Sequence, residues 1–280
     1  MAPPTTPAIT SPVVQLKKLA GTQQFYWFLG HVLGILFFVL NFITSFFSTR
    51  LALRYYRFTL LSIFVTYIIV IKQIFFRNNK LEIKSVTKFL NDDNVQYFGL
   101  AIILYLSSFK IGITSGALYS FVIFSVFHVL TYFQNNLLKV SVSNVRTQQY
   151  LNSIINQFTS DYNERALFLA ASSEVVLSLM SLFQLIPTIL INLLFKWEII
   201  FVFVKLITIL AIVVFTKLRF DSNKYTKAVI QEYDQRANQY LIRIPQLNQL
   251  YNGWLKGEFI PKYVQPIKVP VYKEVSKKTQ

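Results

Sequence analysis

The sequence predicts an all-α membrane protein: a polytopic helix bundle of hairpins with four to six membrane spans and a cytosolic amphipathic helix towards the C-terminus. Of the 280 residues, 54% are hydrophobic and only 14% are charged, too few charges to cover a water-soluble globule of this size. The apolar residues form runs about 20 residues long, the length that crosses a hydrocarbon core. The net charge of +16 lies mostly outside those runs, where Lys and Arg meet lipid headgroups.

The first two runs predict a hairpin. Residues 27–47 contain no charge and form the first span, and residues 58–76 form the second. After the hairpin, residues 77–93 are polar, with apolar residues at helical spacing, which predicts a short interfacial helix. The turn between the two spans is predicted to be basic. It contains three arginines: Arg50, Arg54 and Arg57.

A second hairpin follows, with a first arm that is barely long enough to span. This arm covers residues 95–109, and the second arm is an uncharged run that ends at Tyr132. Gly112 and Gly116 punctuate the chain between the two arms. Residues 134–165 are rich in Asn, Gln and Ser, so we expect a solvent-facing or interfacial connector there.

The last apolar stretches predict a third hairpin. Residues 166–195 are too long for one perpendicular span, and Pro187 predicts a kink or break within them. The membrane part is expected to begin near Val175. After a turn at 196–198, residues 199–216 form the last span.

The composition and motifs exclude several kinds of chemistry. Without Cys the chain has no disulfide, thiolate metal site or cysteine nucleophile. Its two histidines, His31 and His128, fall in predicted spans without a second ligand at metal spacing, and there is no phosphate-binding glycine loop. We therefore predict no enzyme activity, no cofactor and no metal. Contact with lipid headgroups explains the net positive charge, so nucleic acid is not an expected partner.

Three ionisable residues within the predicted spans leave two interpretations open. Charges are costly in a membrane, so Glu174, Lys205 and His128 are candidates for a transport path, and the alternative function is a small transporter or channel subunit. If the last two spans turn near Lys196, however, Glu174 lies level with Arg219 at the cytosolic surface, which favours a structural ion pair. His128 is then a hydrogen-bonding residue between helices.

The charge distribution predicts three regions and an orientation. Residues 1–24 are expected to be a disordered cytosolic tail, residues 25–216 the membrane domain, and residues 217–280 a basic cytosolic tail. An even number of spans places both termini in the cytosol and the arginine-rich turn in the lumen. Lys277 and Lys278, fourth and third from the end, resemble a dilysine retrieval signal, which is read only on a cytosolic C-terminus.

The basic tail contains a predicted amphipathic helix. Apolar residues recur at three- and four-residue steps from about 225 to 244, and Pro245 is expected to kink or end the helix. We expect this segment and its extension to bind anionic membrane, and the alternative is packing against the protein's own connector. The residues expected to contact the membrane are Ile230, Tyr233, Tyr240, Leu241, Ile244, Trp254, Leu255, Lys224, Lys227, Arg236 and Arg243.

Several short patterns occur in a specific order along the chain. Residues 124–132 read Phe-Ser-Val-Phe-His-Val-Leu-Thr-Tyr, a Tyr-Arg pair at 56–57 leads into the second span, residues 170–174 open a later span, and residues 218–222 close the last. Together they resemble the transmembrane protein thirty-three family, which includes fungal pore membrane proteins. The resemblance covers most of residues 25–255.

The resemblance implies a multi-pass protein of the endoplasmic reticulum and nuclear envelope with cytosolic termini and no enzyme activity. In fungi the family is linked to nuclear pore assembly or distribution. The partners implied are nucleoporins, reticulon-type membrane-shaping proteins and a nuclear import receptor, in addition to the lipid bilayer. We therefore predict a non-enzymatic protein that organises curved membrane.

Overall fold

A computed structural model describes residues 12–77, 80–81 and 86–268, and most of these residues are helical. A two-residue antiparallel pair, with Phe76 opposite Leu81, interrupts the helices. In chain order the helices and strands are α1 (Pro12–Ala20), α2 (Gln23–Ser45), α3 (Thr49–Phe75), β1 (Phe76–Arg77), β2 (Lys80–Leu81), α4 (Val86–Leu90), α5 (Asp93–Ile111), α6 (Tyr119–Tyr132), α7 (Leu138–Ser141), α8 (Val145–Phe183), α9 (Leu185–Thr188), α10 (Ile199–Ser222), α11 (Lys224–Leu241) and α12 (Pro245–Asn248). Segments with π-helical hydrogen bonding are Phe133–Leu137, Ile189–Phe195 and Gln249–Val264.

The described residues include five helices that are long and apolar enough to cross a membrane. They are α2, α3, the stretch Tyr119–Ser141, α8 and α10. The predicted all-α membrane bundle with four to six spans is confirmed. Helix α5 is not among the five, but its side chains Leu100, Ala101 and Leu104 are buried in the same core as those of α3, α6 and α10.

The first hairpin packs closely because a glycine lies between its helices. A Cβ atom on Gly30 of α2 would come within 2.5 Å of Cγ2 of Thr66 and 3.3 Å of the Ser62 carbonyl oxygen, both on α3. Small residues allow membrane helices to approach in this way, so that dispersion contacts and not the hydrophobic effect hold them together.

The predicted arginine-rich turn is wrong. The Ser48 side chain accepts a hydrogen bond from the Leu51 amide and caps α3, so the helix begins before the three arginines and the true turn covers residues 46–48. Arg57 is therefore helical. Its Nη2 donates to the Ser108 carbonyl at 2.8 Å and its guanidinium lies 4.1 Å from the Phe109 ring centroid, which ties α3 to the end of α5.

Most of the predicted connector at 134–165 belongs to helix α8. Asn144 caps this helix by accepting from the Arg146 and Thr147 amides, and the helix then continues for 39 residues. Its first half lies beside α6 and the segment that follows it, since the Phe158 ring is 5.7 Å from that of Phe127. Asn, Gln and Ser lower helix propensity only slightly, so tertiary packing decides the outcome here.

The remaining element boundaries agree only in part with the sequence predictions. The break expected at Pro187 occurs four residues earlier, where α8 ends at Phe183, and the turn at 196–198 is present with Trp197 at φ 56°. Pro12–Ala20, within the tail expected to be disordered over 1–24, is helical and contacts α2 and α7, with most of its described side chains exposed. Among the described residues of the interfacial segment 77–93, Val86–Leu90 forms a separate short helix before α5.

Candidate functional site

A buried polar cluster joins three helices of the bundle. The Tyr97 hydroxyl on α5 donates to Oε1 of Glu174 on α8, and Oε2 of Glu174 lies 3.6 Å from Nε of Arg219 on α10. Nη1 of Arg219 also lies 2.5 Å from Oδ1 of Asp93, at the start of α5. Glu174 is 2% exposed and Arg219 3% exposed, so the charges compensate each other within the protein.

The helix ends explain why these residues meet. Asp93 lies in the first turn of α5 and Arg219 in the last turn of α10, where the helix dipoles favour an acidic and a basic side chain respectively. The Arg219 guanidinium lies 5.1 Å from the Tyr97 ring centroid, and the Tyr67 ring of α3 stacks on Tyr97 at 5.8 Å. The cluster therefore joins α5, α8 and α10 at one end of the bundle, and α3 packs against it through Tyr67.

The structure brings together Glu174 and Arg219, the two residues paired in the sequence analysis. Both side chains are buried within the bundle, so they do not form a solvent-exposed ion pair, and Asp93 is the largely exposed member of the cluster. Asp93 and Tyr97 were not identified from the sequence. Their spacing of four places both on one face of α5, but nothing local indicates which helix that face meets.

Glu174, Lys205 and His128, the three residues of the transport hypothesis, contact different parts of the protein. Nζ of Lys205 donates to Oε1 of Gln184 at 3.0 Å, which gives this intramembrane lysine a partner. Glu174 belongs to the polar cluster, and His128 lies among aromatic rings. Among the described residues, no hydrogen bond or ion pair joins any of the three to another.

The two histidines lie together near the start of α2. Their ring centroids are 4.8 Å apart, and the Trp27 ring lies 4.7 Å from His31 and 5.0 Å from His128. Nδ1 of His31 is 2.9 Å from the Ser125 hydroxyl oxygen. Within residues 12–268, as far as they are described, no group of three His, Cys, Asp or Glu side chains is arranged to hold a metal ion.

Part of the predicted membrane-binding helix packs on the protein itself. Val229 of α11 is fully buried against Ala171 and Val175 of α8, with Ile230 and Tyr233 packed alongside. Ile230 and Tyr233 are therefore partly covered by the bundle, and membrane contact at these two positions stays a prediction. Only every third or fourth residue of α11 can face α8, so the opposite face of the helix is left uncovered by α8.

The second half of the tail folds back onto α11 through Asp234. This carboxylate accepts hydrogen bonds at 2.8 Å from the Tyr251 hydroxyl and from Nζ of Lys256. Partial burial opposes ionisation, but these hydrogen bonds outweigh it and hold the pKa of Asp234 below its usual range. Burial and the neighbouring carboxylate raise the pKa of Tyr251 to about 12.

The tail exposes a row of large apolar side chains that begins in the last turn of α11 and continues beyond it. Tyr240 is 73% exposed, whereas Leu241 and Leu255 are partly buried. The predicted basic contacts Lys224, Lys227, Arg236 and Arg243 are exposed, and Arg236 pairs with Glu232. Lys277 and Lys278 lie outside the described residues. The exposed row, hereafter the tail row, consists of Tyr240, Ile242, Ile244, Leu247, Leu250 and Trp254.

Comparison with known proteins adds to this geometry. The family model described as transmembrane protein 33/nucleoporin POM33 matches residues 7–253 of the chain. The chain belongs to this family. The TMEM33/POM33 family assignment thus covers the bundle, the polar cluster and most of the tail row.

Three relatives, from Saccharomyces cerevisiae and Chaetomium thermophilum, are similar to the chain. The chain is 36% identical over 250 residues to the pore and endoplasmic reticulum protein of 33 kDa of Saccharomyces cerevisiae, covering 85% of this chain and 90% of the relative. It is 29% identical to the pore membrane protein of 33 kDa of the same yeast, over 84% of this chain and 81% of the relative. It is also 29% identical to the nucleoporin POM33 of Chaetomium thermophilum, over 63% and 67%. No solved structure gives a significant match.

Proposed function

We propose that this chain is a non-enzymatic membrane protein of the endoplasmic reticulum and nuclear envelope. In this role it helps to organise curved membrane and the assembly or distribution of nuclear pore complexes. Relatives named as pore and endoplasmic reticulum membrane proteins support the location, and none of their names describes an enzyme. The expected partners are anionic lipids, nucleoporins, reticulon-type proteins and an import receptor.

The tail row is the observation that carries this proposal. Its six large apolar side chains are exposed on a basic segment next to the membrane bundle. Apolar side chains of this kind enter the headgroup boundary, and each Lys or Arg near an anionic surface adds about 1 kcal/mol. A water-exposed protein surface of the same size would more often carry charged side chains than large apolar ones.

The packing of α11 on α8 fixes the position of the segment from which the tail row extends. Val229 attaches α11 to α8, and the Asn223 side chain caps α11 directly after α10 ends. Pro245 then begins a new short helix, so the apolar row changes direction within the tail. Two short segments joined at a bend follow a curved surface better than one straight helix does.

Trp254 fluorescence tests membrane contact in the full chain. With Trp27 and Trp197 replaced by Phe, Trp254 is the single tryptophan of the sequence. In vesicles that contain anionic lipid, brominated acyl chains should quench its emission. Tyr240→Asp with Ile244→Asp should remove most of the quenching, because two charges would have to enter the apolar boundary.

Gln239→Asp is the matched control for this experiment. Gln239 is exposed and adjacent to Tyr240 but is not part of the tail row, so quenching should persist. Unquenched Trp254 in the unsubstituted tail would contradict the proposal. Imaging of a tagged chain at endogenous level separates the two locations, since pore association predicts puncta on the nuclear rim and a general reticulum role predicts a uniform pattern.

A further inference from the structure

A cleft of about 580 Å³ lies between the end of helix α10 and the folded-back tail. Val213 and Phe220 of α10 form one apolar wall. Ile230 of α11, together with Ile260 and Val264 of the π-helical tail segment, forms the other. This volume falls within the range of pockets that hold small ligands, and the walls are predominantly apolar.

The rim of the cleft carries a small excess of positive charge. Lys217 forms an ion pair with Asp221 one helical turn further along α10, and its side chain is only 10% exposed. Lys268 lines the same rim and is exposed. Two lysines and one aspartate leave a net charge of +1 there, and Thr216 and Gln265 add hydrogen-bonding groups.

We propose that this cleft binds one anionic phospholipid. An acyl chain packs between Val213 and Ile260, and the phosphate lies at the rim near Lys268. The occupant is a lipid because one wall is the last turns of a membrane-crossing helix, so the cleft opens where phospholipids are the surrounding solvent. It is an anionic lipid because the rim charge is positive and matches one phosphate.

A bound lipid would join the tail to the membrane bundle. Ile230, Ile260 and Val264 belong to the tail, whereas Val213 and Phe220 belong to α10, so a molecule between them stabilises the docked tail. This site is separate from the tail row. It recognises a single lipid molecule and not the membrane surface, and it does not depend on the proposed function.

Native mass spectrometry of the full chain in detergent tests the site, with dioleoylphosphatidic acid and dioleoylphosphatidylcholine as the probes. We expect one phosphatidic acid molecule to bind more tightly than phosphatidylcholine. Lys268→Ala should weaken this binding about fivefold, the effect of about 1 kcal/mol. Lys262→Ala is the matched control, because this exposed lysine lies over the Tyr263 ring and outside the cleft.

Filling the cleft tests the apolar wall. Val213→Phe with Ile260→Phe should abolish the single-lipid peak, whereas Leu210→Phe with Gln249→Phe, at exposed positions of the same two segments, should leave it unchanged. Equal binding of both lipids, or binding that survives the filled cleft, would overturn the proposal. So would binding that appears only after residues 269–280 are removed, because the cleft would then hold the protein's own C-terminus.

The filled-cleft variant also separates this inference from the proposed function. Quenching of Trp254 by brominated lipid depends on the tail row and should remain in the variant that has lost the bound lipid. Loss of both signals together would show that the cleft only supports tail folding, and the lipid site would be rejected. Loss of quenching in the unsubstituted protein, with the single-lipid peak retained, would reject the proposed function alone.

Discussion

Replacing Arg219 by Leu should destabilise the protein more than any other change in the polar cluster. The substitution leaves the buried Glu174 carboxylate with the Tyr97 hydroxyl as its remaining partner. Removing one member of a buried ion pair typically costs about 3–5 kcal/mol, because the other charge is left without compensation. Asp93 loses its cation as well, but it is 54% exposed and water replaces the contact.

The partner substitutions should have smaller effects in a defined order. Glu174→Gln keeps an oxygen that can accept from Tyr97, and Arg219 keeps Asp93 at 2.5 Å, so we expect a loss of about 1–3 kcal/mol. Asp93→Asn should cost about 0–1 kcal/mol because this pair is largely exposed. Arg146→Leu, at an exposed position early in α8, is the control and should stay within about 0.5 kcal/mol of the parent.

The assay is heating of the full-length protein in detergent, followed by size-exclusion chromatography to measure the folded fraction. A double variant, Arg219→Leu with Glu174→Leu, provides the decisive comparison, because it removes both buried charges and should be more stable than Arg219→Leu alone. The reasoning would be refuted if the double variant were less stable than Arg219→Leu. It would also be refuted if Asp93→Asn were as damaging as Arg219→Leu.

Three further predictions concern other parts of the molecule. Gly30→Ala should destabilise the first hairpin by about 1–3 kcal/mol in the same heating assay, because the added Cβ would meet Thr66 and the Ser62 carbonyl. Gly99→Ala is the control and should not destabilise the protein, because the added Cβ would lie in open space there. The pKa of Asp234 is lower in the folded tail than the usual value of 3.8. The Asp234 contacts should therefore stabilise the tail fully when the pH is above 3.8, and this stabilisation should be lost as the pH falls through the lowered pKa of the folded state. Limited digestion with an acid protease should therefore cut the tail faster at lower pH, and Asp234→Asn should remove that pH dependence. In sealed microsomes, added protease should digest the tail at 217–280; a protected tail would reject the cytosolic orientation.

Hydrophobic length and helix-breaking residues were readable from the sequence. The uncharged run at 27–47 and the apolar run at 199–216 correspond to α2 and α10, and Pro245 marks the change of direction in the tail. These features are local, because the length of an apolar run must match a bilayer and a proline lacks the amide that a helix interior needs. The turn at 196–198 was also predictable, because it depends on the residues within the turn itself.

Tertiary structure decided which helix faces meet. Sequence periodicity identified an apolar face on α11, but whether Val229 and Tyr233 meet lipid or α8 depends on how the two helices are placed in space. The polar cluster has the same origin, since Tyr97 reaches Glu174 only when α5 and α8 have the right rotation and depth. Such pairings depend on all neighbouring helices at once, whereas the spans depend only on the residues within them.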